Sequence, residues 1–277
     1  PAELPVYHLL QTNIFTNISF AEAFSVAFLG DVPIYAMDPV DWSNRFYWPW
    51  AQQAASEGDA GKIRSHWKLF IRNMIRYVNE MARDAQQDYP FVIQIRGGCA
   101  LYPNGTSWSF INVGYGGRDF IVFNMEKQQW EPQQQSQLAY LGTKSLNSKK
   151  AVMGLLEHIL STTCPNHVLR LCTYGNATLE RKELPEATVF ARMPSPAQFL
   201  LVCRVTSFYP RPISVAWLRD GQEVPPGPEI NTSTILPNAD LTYQLRSTLA
   251  VAPQDGHSYA CRVRHRSLGS HSLLIPW

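Results

Sequence analysis

The side chains able to do acid–base or covalent chemistry are few and scattered. The seven histidines, His8, His66, His158, His167, His257, His265 and His271, form neither a His-Glu-x-x-His pair nor a Cys/His spacing that would hold zinc. No Gly-x-Ser-x-Gly surrounds a nucleophilic serine. The GYGG run at 114–117 precedes a strand-like segment instead of a helix, so it reads as a hairpin turn and not as a phosphate loop. Catalysis, a metal centre and a resident cofactor are therefore not expected. The chemistry that remains is that of Cys99, Cys164, Cys172, Cys203 and Cys261, together with Asn-x-Ser/Thr glycosylation acceptors at Asn17, Asn104, Asn176 and Asn231. Plausible cysteine pairs beside four acceptors point to an oxidising, secretory route.

The 277 residues suffice for two or three domains, and 45% apolar with 17% charged residues is a globular composition. A net charge of +2 with no basic run excludes a phosphate-neutralising surface for nucleic acid. No apolar stretch approaches the roughly 20 residues of a membrane-spanning helix. The absence of an initiator Met and of a signal peptide suggests a processed or trimmed chain.

The elements that position the cysteines follow from hydrophobic periodicity. Around Cys203, Leu201 and Val205 share its face; Ile213, Val215 and Trp217 share another; 247–252 and 258–265 alternate likewise. Cys203, then Trp217, then Tyr259 two residues before Cys261, is the signature of an immunoglobulin sandwich with the cysteines bridging its sheets. This domain spans 184–277, with MPSPAQ (193–198) leading into the first cysteine strand. The FYPRP turn (208–212) resembles the constant-type subclass, which implies a cis bond between Tyr209 and Pro210.

Residues 1–183 fall into two halves of like pattern, 1–87 and 88–183, each with strands first and helical periodicity after. Segments 5–13, 20–30 and 30–38 read as strands. After WPWAQQ (48–53) comes a helical stripe of Ile63, Trp67, Phe70, Ile71, Met74, Tyr77, Val78 and Met81. In the second half three strands end near Asn124. Helical periodicity begins at Pro132, breaks near 142–148, resumes with Val152, Leu155, Leu156, Ile159 and Leu160, and breaks again at Cys164-Pro165. Joined edge to edge, the halves make one antiparallel sheet with two helices on one face: an α+β platform followed by a β-sandwich. A Cys99–Cys164 bridge would pin the second helix over the sheet, worth about 4 kcal/mol in the chain-entropy account. Cys172 is left over, read as a buried unpaired helical thiol in preference to an intermolecular bridge.

This arrangement resembles the ectodomain of class-I-like antigen-presenting molecules over essentially the whole chain. Within that superfamily it is most similar to the lipid-presenting branch, the cluster-of-differentiation-one family. The resemblance is carried by ILPNADLTYQLRSTLAV (235–251), CRVRHRSLG (261–269), FTNISF (15–20), Pro49-Trp50 and DYPFVIQIRGGC (88–99). Its divergence from mammalian members points to an avian relative. The resemblance implies a cell-surface or endosomal protein with its anchor outside these residues. It also implies a non-covalent beta-2-microglobulin subunit under the sheet, where Phe24, Val26, Phe28, Gln94 and Asp119 point, and a T cell receptor above the helices.

The expected cleft is lined from below by Tyr7, Leu9, Ala23, Ser25, Ala27, Ile93, Ile95, Gly97, Ile111 and Val113, and from the sides by the two helical stripes. A dry aliphatic cavity suits the alkyl chain of a lipid or fatty acid; at about 0.8 kcal/mol per methylene, a sixteen-carbon tail would contribute roughly 12 kcal/mol before ordering costs. Peptide presentation is the first alternative. Tyr7 and Thr143 match positions that peptide presenters use at the chain ends, but Leu146, Asn147, Ile159 and Leu171 replace the others. A ligand-less immune or Fc receptor, its cleft filled by Trp67, Phe70 and Tyr77, is the second. Tyr77, Lys149 and Val152 occupy the places where sphingolipid-binding members carry Asp, Asp and Thr, leaving Arg76 and Lys149 as headgroup candidates.

Overall fold

The computed structural model describes residues 5–102, 104–195 and 198–277. Part of the MPSPAQ lead-in therefore lies outside the described residues. The chain divides into two compact units, Pro1–Leu179 and Glu180–Trp277.

The first unit runs β1 (Tyr7–Asn17), β2 (Phe20–Leu29), β3 (Val32–Met37), β4 (Asn44–Phe46), α1 (Pro49–Ser56), α2 (Gly58–Ser65) and α3 (Trp67–Asp84). The second half follows with β5 (Phe91–Leu101), β6 (Ser107–Tyr115), β7 (Arg118–Asn124), β8 (Gln129–Pro132), α4 (Gln137–Ser148), α5 (Lys150–His158), a π-helical turn (Ile159–Thr163) and α6 (Cys164–Leu179). The strands form a single sheet in the order β4-β3-β2-β1-β5-β6-β7-β8. The halves meet at its centre, where β1 and β5 pair antiparallel from Tyr7↔Cys99 to Phe15↔Phe91. Cys99 and Cys164 are disulfide-bonded, so α6 is fastened over β5.

Several boundaries differ from expectation. The edge strands β4 and β8, of 3 and 4 residues, are too short to show alternation. Pro132 ends β8, and helix starts only at Gln137, where the Ser136 side chain accepts from the Ala139 N–H. The first-half helix is three pieces, interrupted at Glu57, whose backbone is extended, and at His66. In the second half the break falls at Lys149 and not within 142–148, all of which is helical. Cys164-Pro165 does not break the helix: Pro165 occupies the first turn of α6, where a missing N–H is tolerated.

The second unit is the expected sandwich. Its first sheet orders β13 (Ile230–Thr232), β15 (Tyr243–Val251), β10 (Gln198–Phe208) and β9 (Glu186–Ser195), with β14 (Leu236–Pro237) also on β15. The second orders β12 (Gln222–Glu223), β11 (Ile213–Arg219), β16 (Tyr259–His265) and β17 (Leu273–Pro276). Cys203 on β10 is bonded to Cys261 on β16, joining the sheets. Trp217 lies opposite Cys261 on the neighbouring strand, is 1% exposed, and donates its indole N–H to Ser247 Oγ at 3.2 Å. The Tyr259 hydroxyl donates to the Asp255 carboxylate at 2.6 Å. The Tyr209–Pro210 bond is cis, as the constant-type resemblance implied.

Trp217 fills the middle of this core and its N–H is satisfied there. Trp217→Ala is expected to destabilise the second unit by about 3–5 kcal/mol, the range for truncating a large buried aromatic, as measured by urea unfolding.

Candidate functional site

Strand register decides which side chains meet the helices. Cys99 faces them, because its partner Cys164 is on α6. Its cross-strand partner Tyr7 shares that face, and period-two alternation extends it through Leu9, Gln11, Asn13 and Phe15 on β1 and Ile93, Ile95 and Gly97 on β5. Pairing carries it to Ala23, Ser25 and Ala27 on β2 and to Ser109, Ile111 and Val113 on β6. All ten residues expected to form the floor lie on this face. Ala23, Ala27 and Ile93 are buried, whereas Leu9, Ile95, Gly97, Ile111 and Val113 are only half-buried. Phe24 and Gln94 point to the opposite face, and both are exposed.

Beside the small and aliphatic residues that the sequence predicts, the floor carries buried amides. Gln11, Asn13 and Ser25 are 4%, 0% and 4% exposed. The Gln11 amide donates to Asn13 Oδ1 at 2.8 Å, and the Asn13 amide donates to the Ile93 carbonyl at 3.3 Å. Ser25 Oγ has no partner. Gln11 and Asn13 share the parity of Tyr7 and Leu9, so alternation alone could have placed them.

Two adjacent glycines on β5 have opposite requirements. A Cβ on Gly98 would stand 2.0 Å from the Tyr7 carbonyl oxygen, so only glycine fits. A Cβ on Gly97, facing the helices, would meet nothing closer than 3.7 Å.

Along α3, Ile71 is 0% exposed and packs with Ala23 and Met37, while Ile75 and Val78 pack on Phe15, Phe91 and Ile93. Ile75 belongs to this sheet-facing line although it was not singled out in the stripe. Trp67 donates its indole N–H to Met37 Sδ at 2.9 Å and stacks on Phe70, which is 50% exposed. Ile63 on α2, with Met74, Tyr77 and Met81 on α3, is half-buried. On the second side Val152 and Leu155 are exposed and Ile159 is half-buried. Leu156 and the buried Leu160 pack over Phe120, Phe123 and Trp130.

Polar contacts tie the two sides together at separate points. The Tyr77 hydroxyl donates to the Gly142 carbonyl at 3.2 Å, and Lys149 Nζ stands 5.6 Å from the Tyr77 ring centroid. Lys149 thus covers a tyrosine, while Arg76 is exposed and donates to Asn73 Oδ1 at 3.2 Å. His158 Nε2 and Asp59 Oδ2 are 2.9 Å apart. Further along, Arg170 donates to the Glu57 carbonyl at 2.9 Å and Tyr174 to the Glu57 carboxylate at 2.8 Å. α1 closes on α6 here, with Trp50 against Gly175. The exposed pairs among these ties are screened by solvent and individually weak.

Near this closed end, burial raises the Tyr7 phenol well above its ordinary pKa, and that of Tyr35, to which it is hydrogen-bonded, is also raised. His167 on α6 meets the Tyr7 ring edge-on at 5.4 Å and is 8% exposed. Burial, with the Arg170 charge nearby, lowers its pKa from 6.5 to about 4. His167 Nδ1 and Thr163 Oγ1 are both buried without a partner. Each such group costs about 1–3 kcal/mol when left unsatisfied. Cys172 is unpaired and half-buried, and burial raises its thiol pKa. Asn17, Asn104, Asn176 and Asn231 are all exposed. Among the described residues no cluster of three His, Cys, Asp or Glu side chains could hold a metal, and no helix is long and apolar enough to cross a membrane.

Residues 2–178 match the MHC-I family domain and residues 188–268 the immunoglobulin C1-set domain, so the chain is an MHC-I-type platform joined to a C1-set sandwich. It belongs to the CD1 family. It is 35% identical to human CD1e over 98% of this chain and 68% of that protein, and 34% identical to pig CD1a over 98% and 79%. Chicken CD1-2 with bound fatty acid superposes with a TM-score of 0.94 at 52% identity, covering 100% of this chain and 99% of that one. Chicken CD1-1 gives 0.91 at 44% identity over 98% and 99%. The higher identities to chicken proteins agree with the avian relationship expected from the sequence.

His167 is neutral in the folded protein down to about pH 4, but titrates near 6.5 when unfolded. The unfolded chain alone takes up a proton as pH falls through that window, so stability present above pH 6.5 is lost on acidification. Between pH 7.5 and 5 the platform is expected to lose about 2 kcal/mol through this residue. His167→Asn should flatten the profile of denaturation midpoint against pH.

Proposed function

We propose that this chain is the heavy chain of a cell-surface glycoprotein, not an enzyme, that holds the alkyl chain of a lipid between its helices and displays it to T cells. The observation that carries this reading is the row of half-buried apolar residues on the helix-facing side of the central strands: Leu9, Ile95, Gly97, Ile111 and Val113. Helices packed tightly on the sheet would have buried them as fully as Ala23, Ala27 and Ile71, so the cleft is open where it is most apolar. The fatty acid in the chicken CD1-2 structure supports the same reading. Further residues we assign to the lipid are Ile63, Phe70, Met74, Met81, Val152, Leu155 and Ile159. Peptide presentation is not favoured: Leu171 and Ile159 offer a peptide's ends no hydrogen bond, and Leu171 is 0% exposed. A filled, ligand-less cleft does not fit a half-buried floor.

The opposite face of the sheet carries Leu10 and Phe24, each 40% exposed, and Trp108, 53% exposed. We assign this apolar surface to beta-2-microglobulin, and the exposed helix tops to a T cell receptor. Headgroup contacts fall to Arg76, because Lys149 is engaged with Tyr77. The exposed acceptor asparagines are assigned as glycosylated.

Gly97 offers a direct test, since its Cβ position is open toward the cleft. Gly97→Phe should fold but weaken lipid binding about tenfold or more, from the 1–3 kcal/mol cost of overpacking an apolar site. Native mass spectrometry of the protein co-expressed with beta-2-microglobulin is expected to show an added lipid mass on wild type and its loss in the variant. Wild type without lipid, or carrying defined peptides, would overturn the reading.

A further inference from the structure

Among the described residues six buried polar atoms of the first unit have no hydrogen-bond partner: Asn44 Oδ1, Trp50 Nε1, Trp130 Nε1, Ser25 Oγ, Thr163 Oγ1 and His167 Nδ1; the last two share one helix. Thr163 and His167 lie four residues apart, hence on one helix face, and are 6% and 8% exposed. Continuing along that face, Arg170 and Tyr174 reach Glu57 between α1 and α2, so the face looks across the cleft. Its other side, with Ser161, Thr162, Pro165, Asn166 and Leu169, lines a separate cavity of about 420 Å³ at the β5–β6 turn. Thr163 closes the π-helical turn, a local widening of the helix that is rare and concentrated at functional sites.

We propose that Thr163 and His167, the latter edge-on to Tyr7, form a subsite for an uncharged oxygen, a hydroxyl at the buried end of the lipid's alkyl chain. This rests on the lipid-binding reading above and specifies which chain it prefers. A hydroxyl both donates and accepts, so it can satisfy an imidazole nitrogen and a threonine hydroxyl together, whichever tautomer His167 takes. A carboxylate fits poorly: the one cation shown to act on His167 is Arg170, already engaged by Glu57, and a buried unpaired charge is costly. An ammonium fits worse, because Arg170 repels it and, among the described residues, no carboxylate contacts Thr163 or His167. The site suits a chain end and not a mid-chain group because the next turns of α6 close on the other side, Arg170 and Tyr174 on Glu57 and, beyond them, Gly175 on Trp50.

The test uses delipidated protein and displacement of a fluorescent fatty acid by palmitic or ω-hydroxypalmitic acid. The hydroxylated acid should displace the probe at an about fivefold lower concentration, the equivalent of one net hydrogen bond. Thr163→Val should abolish that ratio, and Thr163→Ser should retain it. Equal or weaker binding of the ω-hydroxy acid by wild type overturns the proposal, as does a ratio that survives Thr163→Val. A crystal structure with water on both atoms and the hydroxyl elsewhere does the same. If neither acid displaces the probe, the lipid-binding reading itself falls.

Discussion

The cleft exists because side chains alternate across the eight-stranded sheet. Once the Cys99–Cys164 bridge fixes one residue toward the helices, antiparallel pairing assigns a face to every neighbour on β1, β2, β5 and β6. A one-residue slip of β5 against β1 would turn Ile93, Ile95 and Gly97 away from the helices and present Gln94 and Arg96 instead. Gly98 enforces the register sterically, since no larger residue fits against Tyr7 there. Two helices cannot cover so wide a face, and what they leave half-covered is the apolar centre.

The helices are held by unequal means. Apolar packing fastens α3 through Ile71, Ile75 and Val78, whereas α6 has a covalent link to the sheet as well as buried Val168 and Leu171. Between the two sides run polar contacts at Tyr77–Gly142, Asp59–His158 and Glu57, and Trp50 packs against Gly175 where α1 meets α6. The exposed polar contacts among these are weak individually and open to solvent.

The buried polar groups form a second theme. Gln11 and Asn13 satisfy one another and a backbone carbonyl, so they rigidify the floor. Among the described residues Ser25 on the floor and Thr163 and His167 on the second helical side keep unpartnered atoms. Native interiors rarely tolerate such atoms without a purpose, and here they punctuate a surface otherwise made for hydrocarbon.

Much of this was legible in the sequence, because periodicity and cysteine spacing are local signals. Alternation around Cys203, Trp217 and Cys261 specified the sandwich, and the parity of Cys99 placed Ile93, Ile95 and Gly97 on one face before any coordinates. Helix boundaries were read less well: Lys149 breaks the second helix and Pro165 does not, since a break depends on backbone geometry that neighbouring elements set. Short strands such as β4 and β8 left no periodic trace. Which apolar helix residues serve the core and which face the cleft was decided only by tertiary structure: Ile71 and Phe70 are adjacent and equally apolar, yet one is 0% and the other 50% exposed. The polar ties across the cleft and the unpartnered atoms beside Tyr7 also appear only in three dimensions, because each joins residues that the chain order keeps far apart.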